Sequence, residues 1–325
     1  MKQTPRRLLP SVLAVLGAWS LGCNQPKPEV SLAAPPSGQG FQFQTGGFAV
    51  PQGTETQRCY FFAVPGTPDQ EVWVNHYQLA QNQGSHHVNI FRVNTIVNLS
   101  GQPGDVVVDG QCWTSSNWSD WPLVVNSQDD AESVDWTLPA GVGAKFHGGD
   151  LLMMQVHFVN ATTQKTPREG LAFANFWTMT TPPPNELGTI FATNQNIRIC
   201  PGDTDKSFEA RCTFQSEGIT VVAANGHFHS RGIDFQIAPV DSSGDVGSMF
   251  YHSTTWNEPP MVRGLDVQIG AGGGIDYRCA YTAPANSCGD PKDNCCFTFG
   301  GHVETQEHCN AFVYYYPKVS DVSCF

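Results

Sequence analysis

The chain is poor in charge. Charged residues make up 14% of its 325 residues, and acidic side chains outnumber basic ones 29 to 17, for a formal net charge of −12. That balance excludes nucleic acid as an expected partner, because phosphate binding needs a basic surface. Long stretches of helical apolar periodicity are lacking after the N-terminus. Glycine (32) and proline (23) are plentiful instead, and aromatics reach 11%. Together these point to an all-β architecture rich in turns. A zinc-type C-x-x-C pair is absent: Cys295 and Cys296 are adjacent, so thiolate metal ligation is not indicated.

The first 23 residues read as a targeting segment. Lys2, Arg6 and Arg7 precede an apolar run from Leu8 to Gly22, which is short for a membrane span. Its end, Ser20-Leu21-Gly22-Cys23, resembles a bacterial lipobox, in which the cysteine is lipidated; Ser20 stands where an aliphatic residue is usual. An ordinary signal peptide is the alternative. Residues 24–40 are rich in Pro, Ser, Gly and Gln and read as a flexible tether. Setting Cys23 aside leaves an even ten cysteines, for which disulfides are expected in an exported protein. The expected location is the bacterial cell envelope, with a lipid anchor as the only membrane contact, at the outer membrane or facing the periplasm. Pro182-Pro183-Pro184 cannot sit inside a sheet and suggests two domains, 41–183 and 184–325.

Ten histidines are present, and six fall in four clusters: His86-His87, His157, His227-Phe228-His229 and His308. The clusters recur at long, nearly regular intervals, too wide for a zinc finger. They fit a metal site assembled from distant strands, and imidazole suits copper, zinc, iron and nickel. Leu151 to Asn160 reads as a buried strand with Met153, Gln155 and His157 on one face. Ile219 to Ala224 leads into His227 and His229, which are two apart and project to one side, with Phe228 pointing away. His308, Asn310, Phe312 and Tyr314 share a face by the same period. Adjacent His86 and His87 would point to opposite faces of a regular strand, so a shared metal demands a strand end or bulge, which Gly84 favours. His76, His147 and His252 read as structural. The simplest grouping places His86, His87 and His157 on one metal. His227, His229 and a further group, His308 or His302, take a second.

The sequence around these clusters resembles the copper type II, ascorbate-dependent monooxygenases, the family of peptidylglycine α-hydroxylating monooxygenase and dopamine β-monooxygenase. His86-His87-Val88, Gln155-Val156-His157-Phe158, His227-Phe228-His229 with Arg231-Gly232, and Gly300-Gly301, Glu307-His308-Cys309-Asn310 and Tyr315-Tyr316-Pro317 carry the likeness over residues 45–317. The resemblance implies two jelly-roll-like antiparallel β-sandwich domains with an open, solvent-filled cleft between two copper ions. It implies that His86, His87 and His157 hold the copper that stores and passes an electron. His227, His229 and His308 then hold the copper at which dioxygen attacks a substrate C–H bond, with ascorbate as electron donor. It also implies disulfides Cys59–Cys112, Cys212–Cys324 and Cys279–Cys309, leaving Cys200, Cys288, Cys295 and Cys296 for two bridges of open connectivity.

The chain departs from the family at the site itself. His308 stands where the second copper has a methionine thioether, and imidazole holds Cu(II) relatively better than a thioether does. Met249 or Met261 approaching that copper is an alternative. Asn225 replaces the arginine that peptide-amidating members use to hold a carboxylate, and Phe312 replaces a tyrosine, while Asn310 is retained. Losing the bidentate arginine argues against a peptide carboxylate and for a small, less anionic substrate. Three readings follow: a copper monooxygenase acting as a monomer on a small molecule, a copper-binding lipoprotein that lost the reaction, and a β-sandwich interaction module.

Overall fold

The computed structural model describes residues 30–96, 101–108, 120–128, 134–161, 168–214, 217–320 and 322–325. The 1–23 leader with Cys23, the start of the tether and Cys112 lie outside the described residues. From Val30 onward the tether runs along the protein: the Val30 amide donates to Asn82 Oδ1 at 2.8 Å, and Asn175 donates to the Ala33 carbonyl at 2.8 Å.

The all-β expectation holds. The described residues contain no α-helix; Pro291–Asp293 forms a 3₁₀ turn. Leu151–Asn160 is a strand with the expected bounds. It lies at the centre of a five-stranded sheet, flanked by Thr54–Ala63 and Ser85–Arg92, with Val106–Val108 and Leu123–Ser127 outside them. A second sheet, built on Glu71–Gln81 and Ala172–Met179, covers the even-numbered face of Leu151–Asn160; Phe43 from that sheet stacks on Phe62 at 4.6 Å. In the second half of the chain, Gly218–His227, Asn310–Tyr316 and Gly188–Thr193 are consecutive strands of another five-stranded sheet. It packs on a four-stranded sheet containing Lys206–Thr213, Gly232–Val240 and Gly274–Tyr281.

The two halves meet directly. Asn310–Tyr316 is buried on both faces, because alternate side chains enter different cores. Ala311, Val313 and Tyr315 join the second-half core, whereas Phe312 and Tyr314 join the first-half core. Phe191 does the same from Gly188–Thr193 and lies against Phe91, at 6.2 Å between ring centroids. Hydrogen bonds cross the same boundary: Tyr314 Oη donates to Asn126 Oδ1 at 2.6 Å, and Thr189 Oγ1 to the Leu123 carbonyl at 2.7 Å. The expected open, solvent-filled cleft is therefore corrected at this level. Apolar residues on the facing sheets bury one another, and burial of that surface holds the layers in contact. Two jelly-rolls separated by a gap are not what the sheet arrangement displays.

Four disulfides lie within the described residues. Cys212–Cys324 and Cys279–Cys309 are the pairs that the family resemblance implies. Cys200–Cys296 and Cys288–Cys295 resolve the open connectivity, with the adjacent cysteines going to separate partners. Cys59 is disulfide-bonded, and its expected partner Cys112 is outside the described residues.

Candidate metal centre

The first cluster is made by a defect in strand pairing. Along Ser85–Arg92, His87 faces His157 and Ser85 faces Phe158, so His86 has no opposite residue. It is the extra residue of a β-bulge, which is how two adjacent imidazoles reach one side of a sheet. Gly84 enters the bulge at φ +95°, and a Cβ there would meet Arg168 Nη1 at 2.7 Å. A non-glycine residue is disfavoured on both counts. The resulting ring centroids lie 5.3 Å apart for His86 and His87, 5.3 Å for His86 and His157, and 5.2 Å for His87 and His157.

The second cluster forms where Gly218–His227 ends. His227 closes the strand opposite Asn310, and His229 lies beyond it. What turns His229 back is Glu307, whose carboxylate accepts from the backbone amides of His229 at 2.9 Å and Arg231 at 2.7 Å. Phe228 points away into the second core, stacked on Phe235 at 5.8 Å. Its ring occupies the space over Gly232, where a Cβ would come within 1.7 Å of Phe228 Cδ2. His308 sits just before Asn310–Tyr316, held by the Cys279–Cys309 bridge next to it and by Tyr281, whose hydroxyl donates to the His308 carbonyl. His227 and His308 rings are 5.1 Å apart, and those of His229 and His308 are 4.3 Å apart.

Outer partners settle which nitrogen of three of these rings faces inward. The Glu55 carboxylate can only accept, so His157 donates through Nε2, at 2.9 Å, and keeps its Nδ1 lone pair. Gln128 Nε2 donates to the Gly226 carbonyl, which orients its Oε1 to accept from His227 Nδ1 at 2.8 Å. His229 Nδ1 donates to the Gln306 carbonyl at 3.0 Å. His157 Nδ1 and His229 Nε2 are left buried with no hydrogen-bond partner, as is His86 Nε2. Such atoms are costly unless something fills them. His227 Nε2 lies 3.1 Å from His308 Nδ1. Two nitrogens on one tetrahedral ion with bonds of about 2.0 Å would be roughly 3.3 Å apart. The donor set is all imidazole, each anchored ring has the outer hydrogen bond usual for metal-ligating histidine, and the residues fit a copper or zinc ion. Two triads, His86-His87-His157 and His86-His227-His229, each have their ligand atoms within 4.8 Å of one another.

Electrostatics keep five of the six rings neutral. Burial first, then neighbouring imidazoles, hold His86, His87, His227 and His308 well below the ordinary histidine value of 6.5. Burial takes His229 to about 3. Neutral imidazole is the metal-binding form. For Glu55, burial raises the pKa, but its hydrogen bond and electrostatic attraction to His157 and hydrogen bonds from His302 and Val303 outweigh it, and the carboxyl falls to about 2. Burial instead raises Glu307 to about 8, against the opposing amide hydrogen bonds.

The structure brings His86, His87, His157, His227, His229 and His308 together, all buried. His302, the alternative to His308, is mostly exposed and bonds to Glu55. Met249 is exposed, and Met261 Sδ accepts from Arg263 at 3.3 Å, so the thioether alternative finds no support in their placement. Among the candidate substrate residues, Asn310 lies across from His227, and Asn225 lies two residues before it; both are buried with an unpartnered Oδ1. Phe312 stacks on Phe191 at 5.2 Å and belongs to the core between the halves. His76 and His252 pair with Asp135 and Asp234 away from the cluster. Sequence reasoning missed Glu55, Gln128 and the clamping role of Glu307. It also missed Trp256, whose ring lies 6.0 Å from His86; the Phe299 ring lies 5.0 Å from His308.

Residues 186–325 match the family model for the C-terminal domain of the copper type II ascorbate-dependent monooxygenases. The match covers 140 of the 325 residues, all in the second half of the chain. No curated protein matches the sequence. Among solved structures, the STIV MCP is 7% identical, covering 86% of this chain and 97% of that one at a TM-score of 0.33. The N-terminal CBM22-1-CBM22-2 tandem domain from Paenibacillus barcinonensis Xyn10C is 10% identical, covering 84% and 82% at 0.21. The VP2 subviral particle of infectious bursal disease virus is 10% identical, covering 89% and 75% at 0.24. Likenesses this low carry no argument here.

Two outcomes are expected. The depressed histidines exclude protons that the unfolded chain takes up below 6.5, so the metal-free protein loses stability as pH falls from there. The slope is about 1.4 kcal/mol per pH unit for each excluded proton. Melting temperature of the metal-free protein should drop steadily as pH falls from 6.5 toward 5, with the proton that folded Glu307 holds up to about pH 8 offsetting one of those excluded; a flat profile over that range would refute the neutral cluster. Glu55→Gln should weaken copper binding by roughly 10–100-fold through loss of the charged outer partner of His157, read by competition with a chromophoric chelator. Unchanged affinity would leave Glu55 only a structural part.

Proposed function

We propose that the protein is a copper-dependent monooxygenase that hydroxylates a C–H bond of a small organic substrate. Dioxygen is the oxidant, and an ascorbate-type reductant delivers two electrons singly, so that R–H, O2, two electrons and two protons give R–OH and water. The observation that carries this reading is the convergence of six buried histidines, five of them held neutral, in a chain whose second half matches this family's C-terminal domain. His86, His87 and His157 would hold one copper, and His227, His229 and His308 a second. Bound copper would supply one-electron chemistry and dioxygen activation.

The chain's own residues prepare that site. Glu55, Gln128 and the Gln306 carbonyl each accept a hydrogen bond from a ring N–H, which fixes the direction of a lone pair. Glu307 positions His229 through the backbone. Burial excludes bulk water from the imidazoles, which guards reactive chemistry against side reactions. Asn225 and Asn310 offer neutral amide oxygens and no cation, which favours an uncharged substrate over a carboxylate. In the same reading each half is a jelly-roll-like antiparallel sandwich, and the protein is an exported, monomeric lipoprotein anchored through Cys23 in the cell envelope.

A second reading, a copper-binding lipoprotein without turnover, is favoured by His308 alone. An imidazole in place of a thioether stabilises Cu(II) and opposes the reduced state. Copper analysis and oxygen uptake separate the two. The enzyme reading expects two coppers per chain and ascorbate-dependent oxygen consumption that rises with a hydroxylated substrate. Copper binding with no coupled uptake across a panel of neutral aromatic and aliphatic compounds would favour the second reading. Less than one copper per chain would contradict both.

A further inference from the structure

We infer that Glu55 is a redox-tuning residue: its carboxylate, bonded to the His157 ring, sets the reduction potential of copper at His86, His87 and His157 below that of copper at His227, His229 and His308. This rests on the copper reading above and adds the order in which the two sites hold an electron.

Donor chemistry alone does not order the sites. Each triad is three imidazoles, with the same softness and no charge of its own. A difference must come from the groups behind the rings, and those groups differ in charge. Behind His157 stands a carboxylate: Glu55 Oε2 accepts from His157 Nε2 at 2.9 Å. Behind His227 stands the amide of Gln128, and behind His229 the Gln306 carbonyl, both neutral. Glu307 lies beside the second triad, but it bonds to the backbone amides of His229 and Arg231, so its charge does not pass through a ligand ring.

A carboxylate on the N–H of a ligand imidazole makes the other ring nitrogen a stronger base. The stronger base and the negative charge behind it stabilise Cu(II) more than Cu(I), because the doubly charged ion gains more from both. The potential of that site falls. A single electron shared by the two sites then settles on the second triad, and the first becomes the donor.

The placement of Glu55 is built into the sheet. Between Thr54–Ala63 and Leu151–Asn160, Gln57 is directly opposite His157 and Glu55 is opposite Val159. Glu55 is thus the diagonal neighbour of His157 on the same face, within reach for a long side chain. Gln57, the nearer residue, is drawn away, because its Nε2 donates to the Gly301 carbonyl at 3.1 Å. Glu55 is also fixed from the other half: His302 Nδ1 donates to its Oε1 at 2.8 Å, and the Val303 amide to its Oε2 at 3.3 Å. Three donors on one carboxylate favour its ionised form and hold it in place. Orienting His157 needs one acceptor oxygen, which a glutamine supplies as well. The charge is what a glutamine lacks.

Glu55→Gln therefore separates charge from shape. The test loads the full chain with copper and titrates it potentiometrically, with the Cu(II) paramagnetic resonance signal as the readout. The native protein should show two one-electron steps. Glu55→Gln should move the lower step up and leave the upper one in place. With Cu(II) affinity of the first triad reduced roughly 10–100-fold and Cu(I) affinity unchanged, the lower step rises by about 60–120 mV, since a tenfold change is about 59 mV for one electron. The double variant His227→Ala, His229→Ala should lose the upper step and keep the lower, which assigns the lower step to the first triad. Circular dichroism checks that each variant is folded. A single step in the native protein, an unmoved lower step in folded Glu55→Gln, or both steps moving together would overturn the tuning role and leave the copper reading standing. Loss of the lower step in the double variant would overturn the order. Failure of the native chain to bind copper would sink both readings.

Discussion

Everything at the centre of this molecule depends on burying uncharged imidazoles side by side. A histidine cannot be buried cheaply while charged, and a neutral ring still carries one donor and one acceptor that need partners. For three of the rings the fold supplies the acceptor for the N–H, and for His157 and His229 it also withholds a partner from the lone pair. Glu55 does this for His157, Gln128 for His227 and a backbone carbonyl for His229. What remains is a set of inward-facing nitrogens, which an ion of suitable softness would satisfy together.

That constraint reaches into the layering of the sheets. Two of the three anchored histidines depend on side chains whose bonds cross between the halves. The central sheets must therefore touch, and they do, with Phe312, Tyr314 and Phe191 entering the first core while their strand neighbours enter the second. Disulfides act on the ligand strand from the other side: Cys279–Cys309 fixes the residue after His308, and Glu307 before it clamps the turn that carries His229. Three consecutive residues, Glu307, His308 and Cys309, thus combine positioning, potential ligation and covalent restraint.

Local pattern made part of this legible in the sequence. The apolar run at Leu151–Asn160 is long and continuous, so its bounds and the face carrying His157 could be read directly. Adjacent histidines after a glycine required a strand end or a bulge on elementary strand geometry, and a bulge is present. Other features depend on partners distant in the chain. Glu55 and His157 lie 102 residues apart, and Gln128 and His227 lie 99 apart. Nothing in the local sequence of either glutamate or glutamine marks it as a ligand's partner. The expected cleft was carried over from the family and not from the residues. Phe312 packs on Phe191 in the interface between the halves, a contact that its own stretch of sequence does not mark.

The most direct test of the account is X-ray absorption at the copper edge on the loaded, ascorbate-reduced protein. A first shell of imidazole nitrogen alone, with the multiple scattering of several ordered rings, is the predicted result. A sulfur scatterer from a methionine or cysteine, or a shell dominated by water and carboxylate oxygen, would contradict the claim that these six histidines form the metal centre.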